Sequence, residues 1–104
     1  MTEPHPTNGL DDVVHQRTRL GILAIADEAG RVEFSFLRTV LELTAGNLSR
    51  HLTVLDEAGL IEIEKGYDGR RPRTWVRPTH DGREAYAKEI AHLKELVARA
   101  ERKP

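Results

Sequence analysis

The chain has no cysteine, one methionine, one tryptophan and only four other aromatic side chains among its 104 residues. Without thiols there is no disulfide, no thiolate metal site and no cysteine nucleophile, so thiol redox chemistry is excluded. No apolar run approaches the roughly 18 to 20 residues that a membrane helix needs, and Met1 to Asn8 lacks the basic-then-apolar order of a signal peptide. No membrane partner is therefore expected, and the expected location is cytoplasmic. There is no large excess of either charge: 16 Lys and Arg stand against 17 Asp and Glu, a net charge of −1. Domains that meet nucleic acid are usually strongly basic, so the total charge by itself speaks against such a partner. The 38% apolar fraction is enough for one domain with a modest core.

The distribution of charge says more than its sum. Between Lys65 and Arg83 six basic residues (Lys65, Arg70, Arg71, Arg73, Arg77 and Arg83) face only Asp68 and Asp81, a local charge of +4 that leaves −5 for the rest. Such asymmetry in a small domain suggests a basic surface facing an anionic partner, with acids elsewhere for solubility; a merely solvated charged loop is the plainer alternative.

Residues 1–8, with two Pro and no apolar period, are expected to be a flexible tail before a domain of residues 9–104. Leu10, Val13 and Val14 have helical spacing behind Asp11 and Asp12, which predicts a first short helix. A second helix from about Arg17 to near Gly30 follows, carrying Leu20, Ile22, Leu23, Ile25 and Ala26. Arg31 to Phe34 alternates as a short strand, and Ser35 is the expected cap of a third helix with Leu37, Val40 and Leu41. After the linker Glu42 to Thr44, Thr44 caps a fourth helix at about 45–58 that Gly59 stops. Ile61 and Ile63 alternate with Glu62 and Glu64, Val76 lies between Trp75 and Arg77, and Gly66, Asp68, Gly69 and Pro72 signal the hairpin between them. Thr79 then caps a last helix over 80–102.

Helix, short linker, helix and basic hairpin is the order of a winged helix-turn-helix, a mainly α fold with a small β-hairpin (α+β). At 100° per residue Leu48, Leu52 and Leu55 of the fourth helix share one side, Gly46, Arg50 and Thr53 face the other, and Asn47 and Ser49 flank them. The outward N-terminal half carries no acid; Asp56 and Glu57 come only in the last turns. Arg50 suits guanine, Asn47 suits adenine, and Ser49 or Thr44 suits phosphate. His51 lies close to the leucine stripe and is expected to be partly buried and hydrogen-bonded, with phosphate contact as the alternative. Arg70, Arg71 and Arg73 of the wing, at about 66–73, are expected on phosphate, with Lys65 and Arg77 secondary.

Asn47-Leu48-Ser49-Arg50-His51-Leu52 with Leu55 and Ala58-Gly59-Leu60 resembles the recognition helix of ArsR-like and MarR-like regulators. Lys65-Gly66-Tyr67, Gly69 to Thr74, and Thr79 with Gly82-Arg83 resemble the wing and following helix of small bacterial and archaeal winged-helix regulators, and Arg19, Ile22, Leu23, Phe34 and Leu37 suit the same pattern. The resemblance spans roughly residues 10–98. It implies a sequence-specific regulator that binds double-stranded DNA, with the wing tip approaching the backbone or minor groove, and it leaves room for a small-molecule effector between the first helices and the last. Metal-sensing ArsR-like members use cysteine in the helix before the recognition helix; here that stretch is Leu37 to Thr44.

Tyr86, Ile90, Leu93, Val97 and Ala100 recur at spacings of 4, 3, 4 and 3 on an otherwise polar last helix. That seam predicts a homodimer on an inverted-repeat operator, with Leu10, Val13 and Val14 adding to the interface; the plainer alternative is packing onto its own domain. His5, His15, His51, His80 and His92 have no short metal-ligand spacing, carboxylate pairs such as Glu62 with Glu64 suit a strand surface, and no Gly-rich phosphate loop exists. Catalysis, metals and cofactors are therefore not expected. The rival to DNA binding is a winged-helix module that binds another protein.

Overall fold

A computed structural model describes residues 3–102. Among them a 3-10 turn at Pro6–Gly9 precedes α1 (Arg17–Ala29), β1 (Val32–Glu33), α2 (Phe34–Val40), α3 (Ala45–Glu57), β2 (Ile61–Asp68), β3 (Arg71–Pro78) and α4 (His80–Glu101). The strands form one antiparallel sheet in the order β1-β3-β2. This is the mainly helical winged helix-turn-helix that the sequence predicts.

Local chemistry sets the boundaries. Thr44 Oγ1 accepts from the Asn47 amide at 3.1 Å and caps α3. At its other end Gly59 adopts φ 76°, while the Leu60 amide reaches back to the Leu55 carbonyl at 3.0 Å, a helix stop that favours glycine. Thr79 Oγ1 accepts from the Gly82 amide at 2.9 Å and donates to the Gly59 carbonyl at 2.7 Å, joining the start of α4 to the end of α3. Gly82 is demanded by that junction, since a Cβ there would meet the Leu60 carbonyl oxygen.

The core is Ile22, Leu23 and Ala26 of α1, Leu37 of α2, Leu48, Leu52 and Leu55 of α3, and Val32, Ile61 and Val76 of the sheet, closed by Val14 and Leu60. Burying one such aliphatic side chain contributes about 1.5 to 3 kcal/mol, so the leucine stripe alone fixes which side of α3 faces out.

The N-terminal region departs from expectation. Residues 1 and 2 of the expected tail lie outside the described residues, but Pro6–Gly9 forms an ordered turn against α4, with Pro6 buried. Leu10 to Val14 is a turn rather than a helix, because Asp11 Oδ1 accepts from the amides of Val13 at 2.7 Å and Val14 at 3.2 Å. Helical spacing over five residues does not offset the cost of nucleation when an Asp side chain satisfies the amides locally. Ser35 is likewise not a cap: α2 starts at Phe34 after Glu33, and the Ser35 hydroxyl donates to the Glu33 carboxylate at 3.1 Å.

Candidate nucleic-acid interface

α3 presents Gly46, Asn47, Ser49, Arg50 and Thr53 to solvent as one surface, because Leu48, Leu52 and Leu55 are buried beneath it. No acidic side chain interrupts that surface before Asp56. The first turn directs unpaired amides outward, and the space around Gly46 is open, so a phosphate can approach the helix start closely. Thr44 is exposed there too, although its oxygen already accepts from Asn47. Thr53 donates its hydroxyl to the Ser49 carbonyl at 3.0 Å and keeps its acceptor positions free.

His51 is half-buried, as its place near the leucine stripe predicts. An Arg19 guanidinium nitrogen lies 3.2 Å from its Nδ1, and since arginine only donates, His51 must be the neutral tautomer carrying its proton on Nε2. Burial, then the charges of Arg19 and Arg50, hold its pKa below 6.5. Arg19 also donates to the Val13 carbonyl at 2.6 Å and the Asp12 carbonyl at 3.3 Å. Those carbonyls belong to a turn anchored on α4, where the fully buried Glu89 carboxylate accepts from the Asp11 amide at 3.3 Å and from His15 Nδ1 at 2.5 Å. The outer helix α3 is thus connected to α4 through polar contacts as well as through the core.

The wing divides its expected contacts between two faces. Cross-strand pairs share a face, so Ile61 with Pro78, Ile63 with Val76, Lys65 with Thr74 and Tyr67 with Pro72 look toward α3. Glu62 with Arg77, Glu64 with Trp75, Gly66 with Arg73 and Asp68 with Arg71 look away. Lys65, expected to be secondary, therefore borders a groove of about 340 Å³ with Phe34, Ser49, Thr53 and Thr74. Arg73 is on the far face, bonded to Glu33 at 3.2 Å and 3.8 Å from Asp68, so its guanidinium is already engaged within the protein. Arg77 pairs with Glu64 at 3.3 Å, and Arg31 stacks 3.8 Å above the Trp75 ring. Arg70 and Arg71 remain exposed at the tip.

The expected dimer set divides as well. Val14 is fully buried in the protomer core and offers nothing to a partner. Val13 and Tyr86 pack partly against that core, and Leu10 is half-buried. Ile90 and Leu93 are half-buried on α4, and Val97 is 56% exposed.

An apolar-seamed helix, and a buttressed helix whose outer surface carries no acid before Asp56, beside a hairpin, define a winged-helix domain of the kind that reads DNA. Residues 18–97 match the model of the winged helix DNA-binding domain, and the chain belongs to that family. An uncharacterized protein of Methanocaldococcus jannaschii is 36% identical over 78 residues, 75% of this chain and 85% of that one. The structure of a transcriptional regulator homologue from Pyrococcus horikoshii superposes with a TM-score of 0.84 at 30% identity, covering 91% of this chain and 96% of that one. A MarR-family regulator from Enterococcus faecalis shares the fold, with a TM-score of 0.72 at 21% identity over 97% and 94% of the two chains.

Proposed function

We propose that the protein is a sequence-specific transcriptional regulator that binds double-stranded DNA as a homodimer. α3 lies in the major groove, with Arg50 and Asn47 on base edges and Thr44, Gly46, Ser49 and Thr53 near phosphate. The wing lies on the backbone or minor groove, with Lys65, Arg70 and Arg71 as its cations. The observation that carries this reading is the outer N-terminal surface of α3, free of acids before Asp56 and held outward by three buried leucines. His51 has its Nδ1 occupied by Arg19, and it contributes by seating α3 more than by contacting phosphate.

Dimerisation is supported by α4. Its 22 residues rise about 33 Å in a molecule measuring 61 × 24 × 22 Å, and Ile90, Leu93 and Val97 are left incompletely covered. Tyr86 and Leu10 stand at the border of that surface. A small-molecule effector fits the same scheme. Where the N-terminal turn meets α4 there is a cleft of about 220 Å³ lined by Gly9, Asp11, Asp81, Glu84, Lys88 and Glu89, more polar than a site for an apolar ligand.

Binding of a labelled mixed-sequence duplex, titrated over salt, tests the DNA reading. Log affinity should fall linearly with log salt, by about 0.9 per phosphate neutralised. No binding at low salt would favour the rival, a winged-helix module for another protein. Sedimentation of the same sample should give a dimer, and Leu93→Glu should give a monomer with weakened DNA affinity.

A further inference from the structure

Tyr67 has no structural task in the protomer. It is 78% exposed, the most exposed of the large hydrophobic side chains among the described residues, yet it lies on a hairpin whose other outer positions are mostly charged. Exposing an aromatic ring of this size forgoes the stabilisation that burial would bring. Its position is fixed by register. β2 sends Ile61, Ile63, Lys65 and Tyr67 to the α3 side, and β3 opposes the last two with Thr74 and Pro72. Going outward from the core, this one face reads apolar pair (Ile63 with Val76), cation and hydroxyl (Lys65 with Thr74), then flat apolar pair (Tyr67 with Pro72).

The groove between α3 and the wing ends on the middle pair, for Ser49 and Thr53 line one wall and Lys65 and Thr74 the other. Side chains two apart on one strand face are separated by about 6.6 to 6.8 Å, so Tyr67 stands one step beyond Lys65 on the same side. A chain with phosphate at Lys65 and hydroxyl donors at Ser49 and Thr74 would have its next sugar opposite the Tyr67 ring. Phosphate asks for a cation and hydroxyls; deoxyribose asks for a flat apolar surface. The face offers them in that order and spacing.

We propose that Tyr67 is a DNA-contact residue: its ring, backed by Pro72, packs on the deoxyribose next to the phosphate held by Lys65 and Thr74, and its hydroxyl donates to the DNA backbone. This rests on the DNA reading above and extends it, adding an uncharged backbone contact beside Lys65 on the face that looks at α3. The contact reads no base, so it adds affinity to every sequence, and because the ring is uncharged it displaces no counterion.

The test is anisotropy titration of labelled duplexes of several sequences with the full chain, its Tyr67→Ala and Tyr67→Phe variants, and Lys65→Ala, each at several salt concentrations. Tyr67→Ala should weaken binding by about tenfold on all sequences, in the range of aromatic contacts to nucleotides, with an unchanged salt slope. Tyr67→Phe should recover most of that loss, and Lys65→Ala should lower the slope by about 0.9. Thermal unfolding of the Tyr67 variants should match wild type, as expected for so exposed a side chain. Wild-type affinity in Tyr67→Ala, as would follow if the ring served a protein partner, overturns the proposal while leaving the DNA reading intact. A wild-type chain that binds no duplex overturns both.

Discussion

Arg19 on α1 donates to Nδ1 of His51 on α3, 32 positions later in the chain, and holds the Asp12 and Val13 carbonyls with its other nitrogens. The bond exists only while His51 is neutral at Nδ1. Burial and the neighbouring Arg19 and Arg50 charges keep the folded-state pKa below 6.5, so the unfolded chain takes up this proton first as pH falls. His51 is therefore without effect on the pH dependence of stability well above pH 6.5, and it destabilises the fold as pH drops from about 6.5 to its lowered folded value. The imidazole should titrate below 6.5 by NMR, and Arg19→Gln should move the midpoint up. His51→Gln, whose amide oxygen can accept from Arg19, should flatten the fall in unfolding temperature between pH 7 and 5. A wild-type midpoint at or above 6.5 would contradict this.

Base discrimination should reside on α3. Arg50→Ala should cost about 1 to 3 kcal/mol on a preferred site and relax preference at one base position, while leaving thermal stability unchanged because the side chain is exposed. Competition between preferred and altered duplexes measures both quantities, and unaltered preference would mean that another element reads the bases.

The wing arginines should separate by whether the protein already engages them: Arg73 is paired with Glu33, while Arg70 and Arg71 are exposed at the tip. Arg70→Ala and Arg71→Ala should each reduce the salt slope of binding by at most about one. Arg73→Ala should leave the slope alone and instead lower stability, since it unpairs a half-buried Glu33. Equal loss of slope for all three would show that Arg73 leaves Glu33 when DNA binds.

Two glycines should behave in opposite ways. Gly82→Ala should destabilise the protein by about 1 to 3 kcal/mol or more, because the new methyl meets the Leu60 carbonyl backbone. Gly46→Ala has open space around it and should be neutral to stabilising by up to about 1 kcal/mol, yet it should weaken DNA binding by keeping phosphate away from the start of α3. Chemical denaturation and duplex titration of the two variants check the contrast.

Much of this architecture can be read in one dimension. The spacing of Leu48, Leu52 and Leu55 orients α3, Thr44 and Thr79 cap helices with their own side chains, and Gly59 stops one with its backbone. These are local effects, decided within a few residues. What escapes the sequence depends on partners far along the chain. Leu10 to Val14 has the helical period, but an Asp11 carboxylate and a Glu89 from the far end of the protein turn it into a loop. Arg73 looks like its neighbour Arg71 in sequence, and only the pairing of β1 with β3, which sets Glu33 opposite Trp75 and 3.2 Å from Arg73, shows that it is engaged. Glu89 stands three after Tyr86 and four before Leu93, so the helical period puts it on their side, but the partners that make its burial possible, the Asp11 amide and His15, lie at the other end of the chain. Tyr67 could have been placed on the α3 face from sequence, because it continues the two-residue alternation that begins with Ile61 and Ile63.

Selection of bound sequences from a random duplex pool by the full chain tests the central claim most directly, because it reports binding, base preference and subunit geometry together. Two copies of α3 related by a two-fold axis should enrich an inverted repeat with half-site centres about 10 bp apart, or a multiple of one helical turn. Enrichment should disappear with Arg50→Ala and Asn47→Ala combined. A pool that emerges unenriched, from a protein that is folded and dimeric, would contradict the assignment of α3 as a helix that reads DNA.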